Sequence, residues 1–228
     1  PSRFDGRAID QTGTMTGAEQ FDWLTRGLAS STTRWNVIGN SVMVAPVLIP
    51  PLDDRTMGAL TDLLGLPREG ITYNADQWDG YAGERRRLFD VIRSTGNRNH
   101  VFLTGDIHTA WANEVPTDPA DYPGAGTGAV EFVTPSITSN NIDELLSLPE
   151  GNGLSVAAQS ALMGVNHHVR WVDLDRHGYT VVEFTSDYAH ADYWALNDIT
   201  QPGSGAYPMH SWRSPHGTDR IEPAGPLP

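Results

Sequence analysis

Gly105-Asp106-Ile107-His108 is the segment whose residue types and spacing say most about chemistry. It follows the short apolar run Val101–Thr104, which reads as a buried strand, so its polar residues would sit where a strand leaves a sheet. Asp106 and His108 are two apart, and an extended loop aims both at one point. A carboxylate oxygen beside an imidazole nitrogen suits iron, zinc or manganese. The same acid could equally form a turn or cap a helix. Trp78-Asp79-Gly80-Tyr81 sets an acid between two aromatics, which suggests a shaped polar pocket. The alternative is a loop acid that caps a helix beginning near Ala82. In Asn166-His167-His168, two neighbouring imidazoles in a strand would point to opposite faces, so one at most faces a given site. Histidine titrates near neutrality, which suits substrate contact or acid chemistry, although a surface or satisfied core pair explains the residues as well. His190, His210 and His216 have no evident partner in the sequence.

These residues need elements to hold them. Thr16 and Glu19 have capping-box spacing, and Phe21, Leu24 and Leu28 recur at helical spacing, which predicts an amphipathic helix over about Gly17–Ala29. Arg34–Ala45 reads as a buried strand that ends in a loop at Asn40-Ser41, or as a strand with a break there. Pro46–Thr72 is loop-rich, with a weak helical signal at Thr56–Leu64. Glu84–Ser94 reads as a helix stopped by Gly96-Asn97. Further strands are expected at His100–Thr104 and Ala129–Pro135, and helices at Asn141–Leu148 and Val156–Met163. Val169–Leu174 and Gly178–Thr185 alternate around Asp175-Arg176-His177-Gly178 and predict a β-hairpin. The Pro/Gly/Ser-rich residues 200–228 predict an extended tail, wrapped on the surface or partly mobile. There is no internal repeat and no sharp boundary, so residues 1–228 read as one domain piece.

Composition bounds the function. The 228 residues, 39% apolar, suffice for a sizeable core. A formal net charge of -13 opposes nucleic-acid phosphates and argues against a DNA or RNA partner. The chain has no cysteine, which excludes disulfides and thiolate ligands. No apolar run is long enough to span a membrane, and no secretory signal is visible in this chain.

Taken together, the segments resemble a known family. The carriers are Thr16-Gly17-Ala18-Glu19-Gln20 with Trp23-Leu24, Trp35–Met43, Trp78-Asp79-Gly80-Tyr81 with Glu84-Arg85, Val101–His108 with Trp111, Glu131–Ser139, and Asn166 with His168. In this order and spacing they resemble the alkaline phosphatase D (PhoD-like) metallophosphatases, some of whose relatives act as phospholipases D. The resemblance implies an α/β (α+β) fold, the C-terminal half of a metallophosphoesterase-type β-sandwich flanked by helices. It implies hydrolysis of phosphate monoesters or diesters at a cluster of metal ions, with iron and calcium as the family's metals. It implies Asp79, Asp106 and His108 as metal ligands or close neighbours, Asn166 and His168 as contacts to substrate or to the ligands themselves, and structural roles for Arg85 and Trp111. The family's early ligands, including a Cys, have no counterpart here. The resemblance therefore also implies an N-terminal fragment of the same precursor as partner, a phosphate ester or phospholipid as substrate, and secretion to the cell envelope or beyond. A metal-free binding module on the same fold and a carbohydrate-active domain are the competing expectations.

Overall fold

The computed structural model describes residues 13–49, 71–72 and 76–228. The weak helical signal at Thr56–Leu64 lies outside them. Among the described residues, no helix is long and apolar enough to cross a membrane.

The first layer is helical. Helix α1 (Gly17–Ser30) turns Phe21, Leu24 and Leu28 inward, as their spacing demands. Its expected capping box does not form. Thr16 makes no side-chain cap, Glu19 is exposed, and the Thr16 hydroxyl and Met15 N–H instead donate to Glu84. Glu84 thereby ties α1 to helix α2 (Ala82–Thr95), which ends at Gly96 in the left-handed conformation that glycine adopts freely (φ 68°). Leu88, Phe89 and Ile92 of α2 are buried against Phe102, with the Phe89 and Phe102 rings stacked 6.3 Å apart. Each such side chain contributes about 1.5–3 kcal/mol on leaving water.

The second layer is a five-stranded sheet of order β1-β4-β6-β5-β7: β1 Asn36–Asn40, β4 His100–Thr104, β6 Thr127–Val133, β5 Ala110–Pro116 and β7 Val169–Asp173. Strands β1, β4 and β6 are parallel, and their C-terminal residues Asn40, Thr104 and Val133 lie in register along one edge. Strand β5 runs antiparallel between β6 and β7. The third layer is an antiparallel sheet of order β11-β10-β9-β8: β8 Gly178–Phe184, β9 Tyr188–Leu196, β10 Ala206–Pro215 and β11 Glu222–Pro223. Alanines 189 and 191 and Tyr193 of β9 pack on Val101, Ala110, Ala112, Val130 and Phe132, so small side chains on one sheet admit large ones from the other. Two further helices, α3 (Ile142–Leu145) and α4 (Gly153–Val165), lie beyond β6, and a two-stranded ribbon joins β2 (Leu48–Ile49) to β3 (Ile71–Thr72). The mixed sandwich flanked by helices agrees with the expected fold class.

Two expectations are corrected. Strands β7 and β8 do not form a hairpin; β7 pairs with β5 and β8 with β9, in different sheets. The Asp173 carboxylate accepts the N–H groups of Asp175 and Arg176 and turns the chain from one layer to the other. Gly178 completes the crossing, because a Cβ there would lie 1.8 Å from the Trp194 carbonyl oxygen. The second correction concerns residues 200–228. They are not a surface wrap: β10 is a strand of the second sheet, Trp212 and Ile221 are buried, and buried Asp219 accepts the Asn99 N–H at 2.6 Å. Strands β5 and β9 were not legible as strands in the sequence at all.

Candidate functional site

The parallel strand ends converge on the loop that leaves β4. Ile107 N–H bonds the Gly105 carbonyl at 2.9 Å, which closes a three-residue turn around Asp106 at φ 70°. His108 is also left-handed, at φ 67°. A non-glycine residue in that region costs about 1–3 kcal/mol, so two such residues in four positions mark a loop held in place by its surroundings. Both side chains are exposed. Among the described residues, the Asp106 carboxylate accepts one hydrogen bond, from Gln77 Nε2 at 3.2 Å. His108 Nδ1 lies 3.1 Å from the Asn140 carbonyl oxygen. A carbonyl only accepts, so this bond places the hydrogen on Nδ1 and leaves the Nε2 lone pair without a partner among the described residues. The Ser136 N–H donates to the His108 carbonyl at 2.8 Å. Asp106, His108, Asn140, Asn141 and Leu145 line a cavity of about 240 Å³. Asn40, at the end of β1, accepts the Trp78 indole N–H at 3.3 Å.

A second polar group surrounds the segment Met43–Leu48, a strap that crosses the outer face of the five-stranded sheet between α2 and α4. Wholly buried Glu131 accepts four hydrogen bonds: Val44 N–H at 2.8 Å, Ala45 N–H at 3.0 Å, the Thr104 hydroxyl at 2.8 Å and Asn113 Nδ2 at 3.2 Å. Asp79 accepts the Val47 N–H at 2.9 Å. Burial pushes the Asp79 carboxyl up to about 6, with Glu131 adding to the rise and the Arg85 guanidinium opposing it. Arg85 is itself buried, and its Nε and Nη2 have no hydrogen-bond partner among the described residues. Asn166 grips the Leu48 backbone through both amide atoms at 2.8 Å. His168 Nε2 lies 2.7 Å from the Pro46 carbonyl oxygen, to which it donates. Burial holds the His168 imidazole down to about 4.

The structure therefore divides the residues singled out from the sequence. Asp106 and His108 share the sheet edge. Asp79, Asn166 and His168 share the strap, with Asn166 and His168 fully enclosed. Among the described residues, no group of three His, Asp, Glu or Cys side chains is placed to hold a metal ion. Asp106 and His108 fit such an ion as two donors, one hard oxygen and one bare imidazole nitrogen. Sequence reasoning missed Gln77, which meets Asp106, and Glu131, which ties the strap to the end of β4. The signal for Gln77 was its place just before Trp78; a lone Glu within an apolar strand was the signal for Glu131.

Comparisons agree with this architecture. A sequence model of PhoD-like phosphatases matches residues 2–193. Alkaline phosphatase D of Bacillus subtilis (strain 168) is 31% identical over 192 residues, which is 84% of this chain and 28% of that protein. A solved structure of PhoD matches with a TM-score of 0.72 at 25% identity, covering 93% of this chain and 35% of the other. The chain thus spans about a third of the length of these relatives. With 192 of its residues matched and six of its segments in the family's order, the chain belongs to the PhoD-like phosphatase family.

Proposed function

We propose that this chain is the part of a metal-dependent phosphate-ester hydrolase that supplies Asp106 and His108 to the metal site, with further ligands coming from the portion of the longer relatives that it does not span. Iron and calcium are the metals the family resemblance favours. When bound, such ions supply an acidified water and neutralise charge on the phosphate oxygens. The carboxylate of Asp106 and Nε2 of His108 hold the cation. Gln77 orients Asp106. The strap residues Asp79, Asn166 and His168 keep the segment that follows Asn40 pressed to the sheet, so that the ends of β1 and β4 stay aligned. The substrate is a phosphate monoester or diester, a phospholipid headgroup among the candidates, and the working compartment is the cell envelope or beyond. An N-terminal fragment of the same precursor is the proposed partner.

The observation that carries this reading is a pair of left-handed, exposed ligand-type residues at the C-terminal end of a parallel strand, the imidazole presenting a bare Nε2. The test uses the chain co-expressed with the remaining portion of its precursor and p-nitrophenyl phosphate as substrate. Asp106→Ala and His108→Ala should each lower kcat/KM by at least about 100-fold, the scale on which metal-site residues act, while His167→Ala, outside both groups, leaves it unchanged. Turnover unaffected by both edge substitutions would refute the assignment.

A further inference from the structure

We infer that His177 is a positioning residue that sets the imidazole of His108; the inference rests on the reading of His108 as a metal ligand. His177 is buried in the crossing between β7 and β8 and touches neither Asp106 nor His108. Its Nε2 lies 3.2 Å from Glu144 Oε2 and its Nδ1 3.1 Å from Ser136 Oγ. Those two partners bracket the loop that holds His108. At one end, the Ser136 N–H donates to the His108 carbonyl, and the Ser136 hydroxyl donates to the Ser139 carbonyl at 2.6 Å. At the other end, Glu144 Oε2 accepts the Asn141 N–H at 2.9 Å in a capping box, and Asn141 Nδ2 donates to the Asp175 carbonyl at 2.8 Å. The peptide fixed by that N–H is the one whose carbonyl belongs to Asn140, and this carbonyl receives the His108 Nδ1 hydrogen.

The contacts close a ring: His108 backbone, Ser136, His177, Glu144, the Asn140–Asn141 peptide, His108 side chain. One imidazole joins both ends of an otherwise exposed loop. Asn140 is itself exposed, so its carbonyl owes its direction to the neighbours just named. If the ring opens, the carbonyl turns, the Nδ1–H bond is lost, and His108 is free to move its hydrogen to Nε2. That tautomer has no lone pair on the nitrogen that faces a cation. Partners of this kind typically alter metal affinity by about 10- to 100-fold.

The test is ¹⁵N-histidine NMR of the 228-residue chain paired with the remaining portion of its precursor and stripped of metal, with His108 assigned by loss of its signals in His108→Asn. The wild type should show His108 as the Nδ1–H tautomer. His177→Ala should convert it to Nε2–H or a mixture. His177→Gln, whose amide can donate to Glu144 and can accept from Ser136 once that hydroxyl turns from the Ser139 carbonyl, should restore Nδ1–H. In parallel, the Mn²⁺ concentration that half-bleaches the Gly105–Thr109 amide signals should rise about 10- to 100-fold in His177→Ala and return in His177→Gln. Should His177→Ala not fold, Ser136→Ala opens the same ring and should shift the tautomer in the same direction. Retention of Nδ1–H by folded His177→Ala, or by folded Ser136→Ala, overturns the inference. Absence of any Mn²⁺ effect on the wild-type amides would instead strike at the metal reading, leaving the tautomer result to decide the role of His177.

Discussion

The loop after β4 and the strap over the sheet hold the same kinds of residue, carboxylates and imidazoles, in opposite physical states. On the strap, Asp79, Glu131, Asn166 and His168 direct their polar atoms at backbone groups under cover of two helices. At the edge, Asp106 and His108 sit in unfavourable backbone conformations, exposed, with one hydrogen bond each to their side chains among the described residues. Buried polar groups that find protein partners hold structure together. Strained residues whose polar atoms remain unengaged are where a fold stores the means to bind something else. The distinction is one of partners and backbone geometry, and residue type does not reveal it.

Substitutions on the two sides should separate cleanly. The largest effect is expected at Glu131. Glu131→Ala strands four buried donors and removes a charge near Arg85, so stability measured by urea unfolding should fall by about 3–5 kcal/mol. A loss below about 1 kcal/mol would mean that the strap is not held as described.

Next in size is a pair of opposed pH dependences. His168 is held neutral to about 4 in the fold against an ordinary 6.5, so the unfolded chain binds the extra proton between those values. Relative to His168→Gln, the wild type should therefore gain stability as pH rises from about 4 to 6.5, by roughly 3 kcal/mol at most. Asp79 has the reverse sign, because its proton is held more tightly in the fold, up to about 6. Relative to Asp79→Asn, the wild type should lose stability as pH rises from about 4 to 6, by a similar amount. Parallel slopes for the two variants in guanidinium titrations would break the account of the strap.

The smallest effect lies at the edge and sharpens the contrast. Asp106→Gly relieves a left-handed aspartate and removes one exposed hydrogen bond, so it should raise stability by about 1 kcal/mol, or ~2–4 °C in Tm, while it destroys the proposed site. A substantial loss of stability would show that Asp106 is a structural residue.

The sequence made the edge legible because a strand is read from its apolar run and a glycine marks its end; Val101–Thr104 and Gly105 supply both. Helix α1 was legible from the spacing of Phe21, Leu24 and Leu28, and α2 from the Gly96-Asn97 stop that ends it. Strand β5 was not, because Asn113 and Glu114 interrupt it and become favourable only against Glu131 and the C-terminal segment. Strand β9 was hidden by alanines, whose value is their small size against the facing sheet. The false hairpin has the same origin: β7 and β8 alternate correctly, but alternation states which face is buried and not which strand lies alongside. The strap has no period at all, since its backbone groups at Val44, Ala45, Pro46, Val47 and Leu48 are matched to side chains distant in sequence, and the ring through His177 is likewise assembled from separate segments.

The central claim is that the edge residues, and not the strap residues, hold a cation. Its most direct test is the metal content, by inductively coupled plasma mass spectrometry, of the chain purified together with its precursor's remaining portion. Wild type and His168→Gln should retain bound metal after desalting, and Asp106→Ala should lose it. Equal metal in all three, or loss in His168→Gln alone, would contradict the account.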